Sequence, residues 1–298
     1  MPRAPSALSR SRDPCPPEDG DAPVLRRFWK MHGLGNDFVI LETEAALEPS
    51  FVRRLADRRR GVGADQVLTV RRRGTEGGRP LFSYAVYNAD GTAAEQCGNG
   101  LRCLARWAVE TAGADGAELG FTGPGGGVRA RALDFAAIEL ELPPPALDPA
   151  AIPFRAAHRA PSYEIEASGM RFAIGAVATG NPHAVLRVED VGEWPVAKLG
   201  PEIEHHPLFP EGTNVGFMQI LSPRHIRLRV HERGTGETQA CGSGSCAAVV
   251  WGRIMRWLAD EEILVDLPGG PLHVAWAGEG RPLRLRGPAE RVFEGRLP

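Results

Sequence analysis

The chain is short of lysine, of long apolar segments and of basic blocks, and each shortage excludes a class of protein. Its only lysines are Lys30 and Lys198. Neither lies in a glycine-rich context, which argues against a pyridoxal phosphate enzyme because that cofactor needs a lysine for its Schiff base. No apolar run approaches the roughly 20 residues that span a bilayer. The formal net charge is -2, so neither a membrane nor nucleic acid is an expected partner.

Cysteine is scarce as well, with five residues in the chain: Cys15, Cys97, Cys103, Cys241 and Cys246. They are too few and too unevenly spaced for the disulfide scaffold of a secreted protein, and an odd number leaves at least one thiol free. A reducing compartment fits this pattern better. We therefore expect a cytoplasmic protein.

The composition of the N-terminal segment and a run of prolines near mid-chain divide the chain into regions. The 298 residues are 43% hydrophobic and 24% charged, the balance of a globular protein of about two domains. Residues 1–27 are rich in Pro, Ser and Arg and lack the apolar segment of a secretory signal. They are predicted to form a disordered N-terminal extension. Leu142-Pro143-Pro144-Pro145 cannot continue a strand ladder, so we expect a domain boundary there, close to mid-chain.

Strand and helix patterns alternate after Phe28. Residues 37–41 and 66–70 have strand character and are bounded by glycines and charged turns. A helix is predicted after Gly98-Asn99-Gly100, because apolar residues recur at helical spacing until Gly113 stops it. A second helix is predicted after Gly242-Ser243-Gly244.

The two predicted helices begin in matching motifs. Cys97-Gly98-Asn99-Gly100 and Cys241-Gly242-Ser243-Gly244 are 144 positions apart, and Asn88 and Glu232 precede them at the same offset. Gly35-Asn36-Asp37 and Gly180-Asn181-Pro182 are 145 positions apart. These correspondences indicate an internal duplication. The alternative is coincidence in a chain with 36 glycines.

A cysteine at a helix N-terminus is suited to acid/base chemistry. Free backbone N–H groups and the helix dipole favour the thiolate, and the same N–H groups bind anions such as a carboxylate. Two such sites related by a pseudo-twofold axis would bring Cys97 and Cys241 to opposite faces of one bound molecule. One thiolate could then remove a proton while the opposite thiol delivers another, without a metal or an organic cofactor.

Other interpretations of the cysteines stay open. Within their helices, Cys103 and Cys246 are predicted to be small buried hydrophobes. A zinc site is an alternative, but the pairs 97/103 and 241/246 lack the close spacing of structural zinc sites. The alternative to an acid/base enzyme is a redox or metal-binding protein that uses the cysteines as a disulfide or as metal ligands.

Several motifs in this order resemble the diaminopimelate epimerase family. They are Met31-His32-Gly33-Leu34-Gly35-Asn36-Asp37-Phe38, Asn88-Ala89-Asp90-Gly91, Cys97-Gly98-Asn99-Gly100-Leu101-Arg102-Cys103, Gly180-Asn181-Pro182-His183, Glu232-Arg233-Gly234 and Gln239-Ala240-Cys241-Gly242-Ser243-Gly244. The resemblance extends from Phe28 to the C-terminus. It implies an enzyme that interconverts LL- and meso-diaminopimelate, without a cofactor or metal, on the route to lysine and peptidoglycan.

The resemblance also implies the roles of individual residues. Cys97 and Cys241 would be the catalytic thiols. The substrate-binding residues would be Asn36, Gln66, Asn88, Gly98, Asn99, Asn181, Asn214, Glu232, Arg233, Gly242 and Ser243. Arg233 has the chemistry for a bidentate clamp on the distal carboxylate, and His183 and Glu232 would tune the thiols.

Conformational roles are the alternatives for three of these residues. His183 could be a hydrogen-bonded structural histidine beside Pro182. Asn36 and Asn214 have turn-forming neighbours and could act on the backbone alone.

The fold that the resemblance implies is α/β (α+β), with two pseudo-symmetric halves. Each half would be a curved, mainly antiparallel sheet around a central helix, with the active site in the cleft between them. Residues 28–142 plus 284–298 would form the first half and residues 143–283 the second. A homodimer is expected. The rival within enzymes is a proline or hydroxyproline racemase, from which the charged clamp at Arg233 would distinguish this chain.

Overall fold

The structure is a computed structural model that describes residues 26–94, 97–113, 118–134 and 136–297. Residues 1–25 of the expected disordered extension lie outside the described residues. Arg26 and Arg27, the last two residues of that expected extension, instead begin the first strand, where they pair with Leu297 and Arg296. No helix in the described part of the chain is long and apolar enough to cross a membrane.

Among the described residues, the first part of the chain contributes seven strands and two helices. They are β1 (Arg26–Gly33), β2 (Asn36–Glu42), α1 (Pro49–Ala56), β3 (Gln66–Glu76), β4 (Arg79–Asn88), α2 (Gly98–Ala112), β5 (Glu118–Gly123), β6 (Gly126–Asp134) and β7 (Ala137–Leu142). The predicted strands 37–41 and 66–70 lie in β2 and β3. Helix α2 ends where expected, because Gly113 adopts the left-handed conformation with φ 61°.

The second part repeats this arrangement after a 3-10 turn at Pro149–Ala151. Its elements are β8 (Tyr163–Ala167), β9 (Met170–Ala178), β10 (Pro182–Val188), α3 (Val196–Glu204), β11 (Asn214–Ser222), β12 (His225–Glu232), β13 (Gly236–Thr238), α4 (Gly242–Ile254), β14 (Ile263–Leu267), β15 (Gly270–Trp276), β16 (Leu283–Gly287) and β17 (Glu290–Leu297).

The strands pair in the same order in both halves. The first order is β17–β1–β2–β3–β4–β5–β6–β7, with β2–β3 and β4–β5 parallel and the other pairs antiparallel. The second is β8–β9–β10–β11–β12–β14–β15–β16, with β10–β11 and β12–β14 parallel. Strands β7 and β16 pair antiparallel and join the two halves. This repeated order supports an internal duplication and confirms two pseudo-symmetric, mainly antiparallel halves.

The strand pairing also shows where the halves meet. Strand β7 ends at Leu142, immediately before the three prolines, as expected of residues that cannot donate to a ladder. Strand β16 pairs with β15 and with β7, so it holds the place of β7 in the second half. Strand β17 then returns to pair with β1.

Helices α2 and α4 occupy the centres of the two halves. Helix α2 contacts β1, β2, β6, β7 and β17, and α4 contacts β9 to β12, β15 and β16. Helix α4 has no charged residue before Arg253, so it can be buried on all sides. Trp107 of α2 and Trp251 of α4 belong to one hydrophobic core, while α1 and α3 cover separate cores outside the sheets.

Candidate active site between the two halves

The two cysteines of the repeated motif occupy equivalent backbone positions. Cys97 is the N-cap of α2 with φ -122° and ψ 106°, and Cys241 is the N-cap of α4 with φ -123° and ψ 107°. Residues at the N-cap precede helical N–H groups that have no intrahelical partners. Each thiol therefore lies beside the positive end of a helix, as the sequence predicted.

The N-termini of α2 and α4 are in close contact. A Cβ atom added to Gly98 would lie 3.2 Å from Leu285 Cδ2 and 4.0 Å from the Cα atom of Gly242. A Cβ atom on Gly242 would lie 3.0 Å from the same Leu285 methyl group and 3.8 Å from the Cα atom of Gly98. Glycine at both positions lets the two helix ends approach this closely, since an added Cβ atom would crowd the Leu285 methyl group. The structure thus brings the two cysteine motifs to one place.

The polar residues predicted for the site lie at strand ends beside these helices. The first half contributes Asn36 at the start of β2, Gln66 at the start of β3 and Asn88 at the end of β4. In the second half, Asn181 precedes β10, Asn214 begins β11 and Glu232 ends β12. Because β2 and β3 run parallel and β4 returns antiparallel, these ends share one edge of the sheet, and the second half repeats the arrangement.

Cys97 is linked to two asparagines of its own half. Its thiol donates to Asn36 Oδ1 over 3.7 Å. Asn99 Nδ2 donates to the same Asn36 oxygen over 3.2 Å and to the carbonyl oxygen of Ala240 over 2.9 Å. Since Ala240 immediately precedes Cys241, Asn99 connects the first thiol's surroundings with the chain that leads to the second thiol.

Cys241 has a more acidic environment than Cys97. Its sulfur accepts from the backbone N–H of Gly244 over 3.4 Å and lies 3.5 Å from Ser243 Oγ. It also interacts with the partly buried carboxylate of Glu232. The hydroxyl of Thr238 donates to the same carboxylate. The second thiol therefore has a carboxylate partner, whereas the first has an amide.

Burial has the largest effect on the pKa of both thiols. Burial raises the pKa of Cys97 to about 11, against the lowering effect of the N–H groups of Gly100 and Asn99. Burial and the nearby Glu232 carboxylate raise the pKa of Cys241 well above its usual value. The expectation that the helix N-termini favour thiolates is wrong for the net effect, because loss of water outweighs the N–H donors. The pKa of both cysteines is therefore raised on balance.

The amides of Gln66 and Asn88 form a pair on adjacent strands. Gln66 Nε2 donates to Asn88 Oδ1 over 3.0 Å, and Asn88 Nδ2 donates to Thr92 Oγ1 over 3.1 Å. The two residues are also directly opposite each other in the β3–β4 register. This pairing fixes the direction in which both amides present their remaining polar atoms.

Asn214 uses its side chain to hold two backbone segments. Its Nδ2 donates to the carbonyl oxygen of Pro182 over 2.9 Å, and its Oδ1 accepts from the N–H of Arg233 over 3.0 Å. The conformational role that the sequence left open is therefore observed. Arg233 in turn donates from Nη1 to the carbonyl oxygen of Glu211 over 3.1 Å.

His183 is fully buried and uncharged. Its Nε2 lies 2.9 Å from Asn181 Oδ1. Burial, together with the charge of Arg233, lowers the pKa of His183 to about 3. An uncharged imidazole that orients Asn181 agrees with the structural-histidine alternative. His183 therefore holds the amide in place and cannot supply an imidazolium proton at neutral pH.

The sequence did not identify the buried carboxylate that holds the loop after β12. Glu204 Oε2 lies 2.7 Å from His231 Nε2, and Glu204 Oε1 accepts from the N–H of Gly234 over 2.8 Å. Both side chains are buried. The end of β12, with Glu232, and the following loop, with Arg233, are thereby fixed to the end of α3. Glu204 and His231 are 27 positions apart, so no local sequence pattern predicts that they pair.

A charged cluster that the sequence also missed holds Asn36. Asp65 Oδ2 accepts from Asn36 Nδ2 over 3.1 Å, and Arg58 donates to both Asp65 and Asp37. The buried Lys30 pairs with Asp37 on its other side. These cations hold the pKa of Asp37 well below its usual range, against the opposing effect of burial. The Asn36 side chain is therefore oriented by an ionised network.

The remaining cysteines are in the core. Cys103 and Cys246 are fully buried in α2 and α4 and belong to the central hydrophobic core. This confirms their prediction as small buried hydrophobes. In the part of the chain that the structure describes, no group of three His, Cys, Asp or Glu side chains is placed to hold a metal ion.

Comparison with known proteins identifies the family. The family model described as diaminopimelate epimerase matches residues 28–135 and 175–292. The chain belongs to the diaminopimelate epimerase family. It is 52% identical over 279 residues to a diaminopimelate epimerase of Alkalilimnicola ehrlichii, which covers 91% of this chain and 98% of that protein. It is 47% identical over 277 residues to a diaminopimelate epimerase of Pseudomonas paraeruginosa, covering 92% of this chain and 99% of that protein.

The fold is shared more widely than the family. A solved hydroxyproline epimerase from Agrobacterium vitis with bound trans-4-hydroxy-L-proline has a TM-score of 0.66 at 14% identity, over 92% of this chain and 91% of that one. At this identity the likeness concerns the fold alone. The diaminopimelate epimerase family and the rival named from the sequence thus share one architecture, and the site must distinguish them.

Proposed function

We propose that the protein converts LL-2,6-diaminopimelate to meso-diaminopimelate, without a cofactor, by a two-base mechanism that uses Cys97 and Cys241. Family membership supports the reaction. The observation that supports the mechanism is the matched pair of N-cap cysteines on two helices whose N-termini touch. The reaction would supply the routes to lysine and peptidoglycan, in the cytoplasm that the cysteine content favours.

The two thiols exchange roles in each turnover. A thiolate on one side removes the proton from the α-carbon, and the electron pair of the broken C–H bond stays on that carbon beside the carboxylate. The thiol on the other side then donates its proton to the opposite face. The first cysteine ends as a thiol and the second as a thiolate, so the configuration is inverted and the protons balance.

The helix N-termini stabilise the charge that develops during this step. Free N–H groups of Gly98 and Asn99 at α2, and of Gly242 and Ser243 at α4, would hold the reacting carboxylate. In a site from which water is excluded, fixed donors oppose the growing negative charge more effectively than in bulk water. The close contact of the two helix ends supports this role because it points both sets of donors to one place.

Glu232 supports formation of the reactive thiolate. Its carboxylate hydrogen-bonds to Cys241 and can accept the thiol proton. Burial raises the pKa of Glu232, which makes it a stronger base than an exposed glutamate. When the substrate is present, the same carboxylate would also accept from the α-ammonium group.

The distal half of the substrate would be held by Arg233 and the amides of Asn88, Asn181 and Asn214. A guanidinium can bind a carboxylate through two parallel hydrogen bonds. Proline has no second carboxylate, so this set favours a two-ended substrate over the rival racemase reaction. The test is to incubate purified protein, without added cofactor, with LL-diaminopimelate and in parallel with L-proline. We expect only the former to be epimerised; turnover of proline alone would contradict the assignment.

We also propose a homodimer formed through β17. Within the described ranges this strand pairs only with β1, so its other edge is open, and Val292 and Phe293 are 55% and 46% exposed on it. Open edges that carry exposed apolar side chains pair readily with another chain. Sedimentation velocity should show a dimer for the native chain and a monomer for Phe293→Asp; a native monomer at micromolar concentration would contradict this.

A further inference from the structure

Arg102 is a buried cation without a carboxylate partner among the described residues. It lies in α2, is fully buried, and donates from Nε to the carbonyl oxygen of Pro288 over 3.0 Å and from Nη2 to Asn99 Oδ1 over 2.8 Å. Burial lowers the pKa of Arg102 to about 10, so it remains charged at neutral pH. Burying an unpaired charge is costly. The position therefore calls for a role beyond packing.

The surroundings leave room for the guanidinium. A Cβ atom on Gly33 would lie 3.1 Å from Arg102 Nη2, and one on Gly287 would lie 3.4 Å from Arg102 Nε. These glycines end β1 in the first half and β16 in the second. The guanidinium therefore occupies a space bordered by both halves.

A chain of hydrogen bonds runs from this guanidinium to the first thiol. Arg102 can only donate, so Asn99 must present its oxygen to it. The Asn99 NH2 group then faces two acceptors, Asn36 Oδ1 and the carbonyl oxygen of Ala240. Asn36 Oδ1 in turn accepts from the Cys97 thiol, and Asn36 Nδ2 donates to the acceptor-only carboxylate of Asp65. A donor-only group at one end and an acceptor-only group at the other orient every amide between them.

The second half has no equivalent of this cation. At the offset of 144 positions that relates the two cysteines, Asn99 corresponds to Ser243 and Arg102 corresponds to Cys246. Cys241 instead faces Glu232. The two pseudo-symmetric thiols therefore have different neighbours. Cys97 is connected to the Arg102 cation through asparagine side chains, whereas Cys241 lies beside the Glu232 carboxylate.

We propose that Arg102 is a positioning residue for the epimerisation: through Asn99 it fixes the Cys97 side of the site to the segment that precedes Cys241. The inference rests on the proposed function for its effect on turnover, but its effect on the Cys97 thiol can be measured separately. The Arg102 charge also acts on that thiol, since it lowers the pKa of Cys97 while Glu232 raises it. Tyr84 and Cys103 are the other titratable groups that interact with this thiol.

Three substitutions separate the charge of Arg102 from its hydrogen bonds. Arg102→Lys keeps the charge, Arg102→Gln keeps a donor without the charge, and Arg102→Met removes both. The matched control is Arg106→Met, one turn further along α2. Arg106 also binds the C-terminal segment, through the carbonyl oxygen of Ala289, whereas the side-chain oxygen of Asn99 accepts from Arg102. A variant that only loosened the C-terminal segment would behave as this control does.

The first readout is the pH dependence of Cys97 alkylation by iodoacetamide, followed by mass spectrometry of the Cys97 peptide. We expect the midpoint to move to higher pH in Arg102→Gln and Arg102→Met, and to stay near the native value in Arg102→Lys and Arg106→Met. The second is kcat with LL-diaminopimelate, which should fall roughly tenfold or more in Arg102→Met, as expected when a buried charged hydrogen bond is lost, and partly recover in Arg102→Lys.

Two outcomes would overturn the proposal. One is a folded Arg102→Met protein with native kcat and a native alkylation profile. The other is an Arg106→Met protein that reproduces the changes of Arg102→Met. If Arg102→Met fails to fold, Asn99→Asp provides the test. This substitution keeps an acceptor for Arg102 but turns a second acceptor towards Asn36 and Ala240. Unchanged kcat and an unchanged alkylation profile in Asn99→Asp would also refute the proposal. If the native protein does not epimerise diaminopimelate, the proposed function fails while the alkylation profiles still decide the role of Arg102.

Discussion

Replacing Gly98 by alanine should slow turnover without destabilising the protein. The added Cβ atom would lie 3.2 Å from Leu285 Cδ2, whereas carbon atoms prefer separations of about 3.5–4.0 Å. Either the Leu285 side chain or the N-terminus of α2 must then move by a few tenths of an ångström. Since misplacement by about 1 Å can cost about a hundredfold in rate, we expect kcat to fall about tenfold, or about 1.4 kcal/mol in activation free energy.

Stability should change little, because alanine is favoured over glycine in a helix by about 0.5–1 kcal/mol, which offsets the crowding. The measurements are kcat, KM and the thermal unfolding midpoint. Leu285→Val, which shortens the contacting side chain, should restore part of kcat in the double variant. Gly127→Ala is the control, because its Cβ atom would meet nothing within 4 Å. Native kcat in Gly98→Ala, or a double variant as slow as the single one, would refute the reasoning.

The remaining predictions concern the thiols and their partners. Cys97→Ala or Cys241→Ala should abolish epimerisation in both directions, whereas Cys103→Ala should keep most of it; a progress assay from either isomer decides this. Oxidation should join Cys97 to Cys241 and stop turnover until a reductant is added, and inactive oxidised protein with both thiols free by mass spectrometry would contradict it. Because burial raises the pKa of both thiols, the neutral pair predominates near pH 7 and kcat/KM should rise with pH above it; a flat profile would be inconsistent. In Thr238→Val, loss of the hydroxyl donor should raise the pKa of Glu232, which moves the acidic limb of the kcat/KM profile to higher pH, and an unmoved limb would exclude that role.

Local sequence was sufficient to find the thiols and their helices. The Cys-Gly-x-Gly motifs at 97–100 and 241–244 place the N-cap, the free N–H groups and the helix within a few residues, so local spacing predicted both helix starts. The repeated offset predicted the symmetry that the strand order then showed. The strand-end residues were located through the resemblance, since their common edge depends on pairing between distant segments.

What the sequence could not show depends on tertiary contacts. Arg102 donates to the carbonyl oxygen of Pro288, 186 positions away, so the local sequence did not single it out. Arg26 pairs with Leu297 near the other end of the chain, so it was assigned to a disordered extension. The protonation of the cysteines was mispredicted for the same reason. A helix N-terminus is a local feature that favours a thiolate, but the burial of the thiol in the folded chain is not visible in the sequence around Cys97.

The central claim is that two thiols act on opposite faces of one carbon, and deuterium incorporation from solvent tests it most directly. LL-diaminopimelate would be turned over in deuterium oxide, and both isomers would be examined by mass spectrometry and NMR at low conversion. A two-base site predicts one deuterium at the inverted α-carbon of the meso product and none in the unreacted LL isomer. Product that retains the original hydrogen, or LL isomer that gains deuterium before it is inverted, would contradict the two-thiol mechanism.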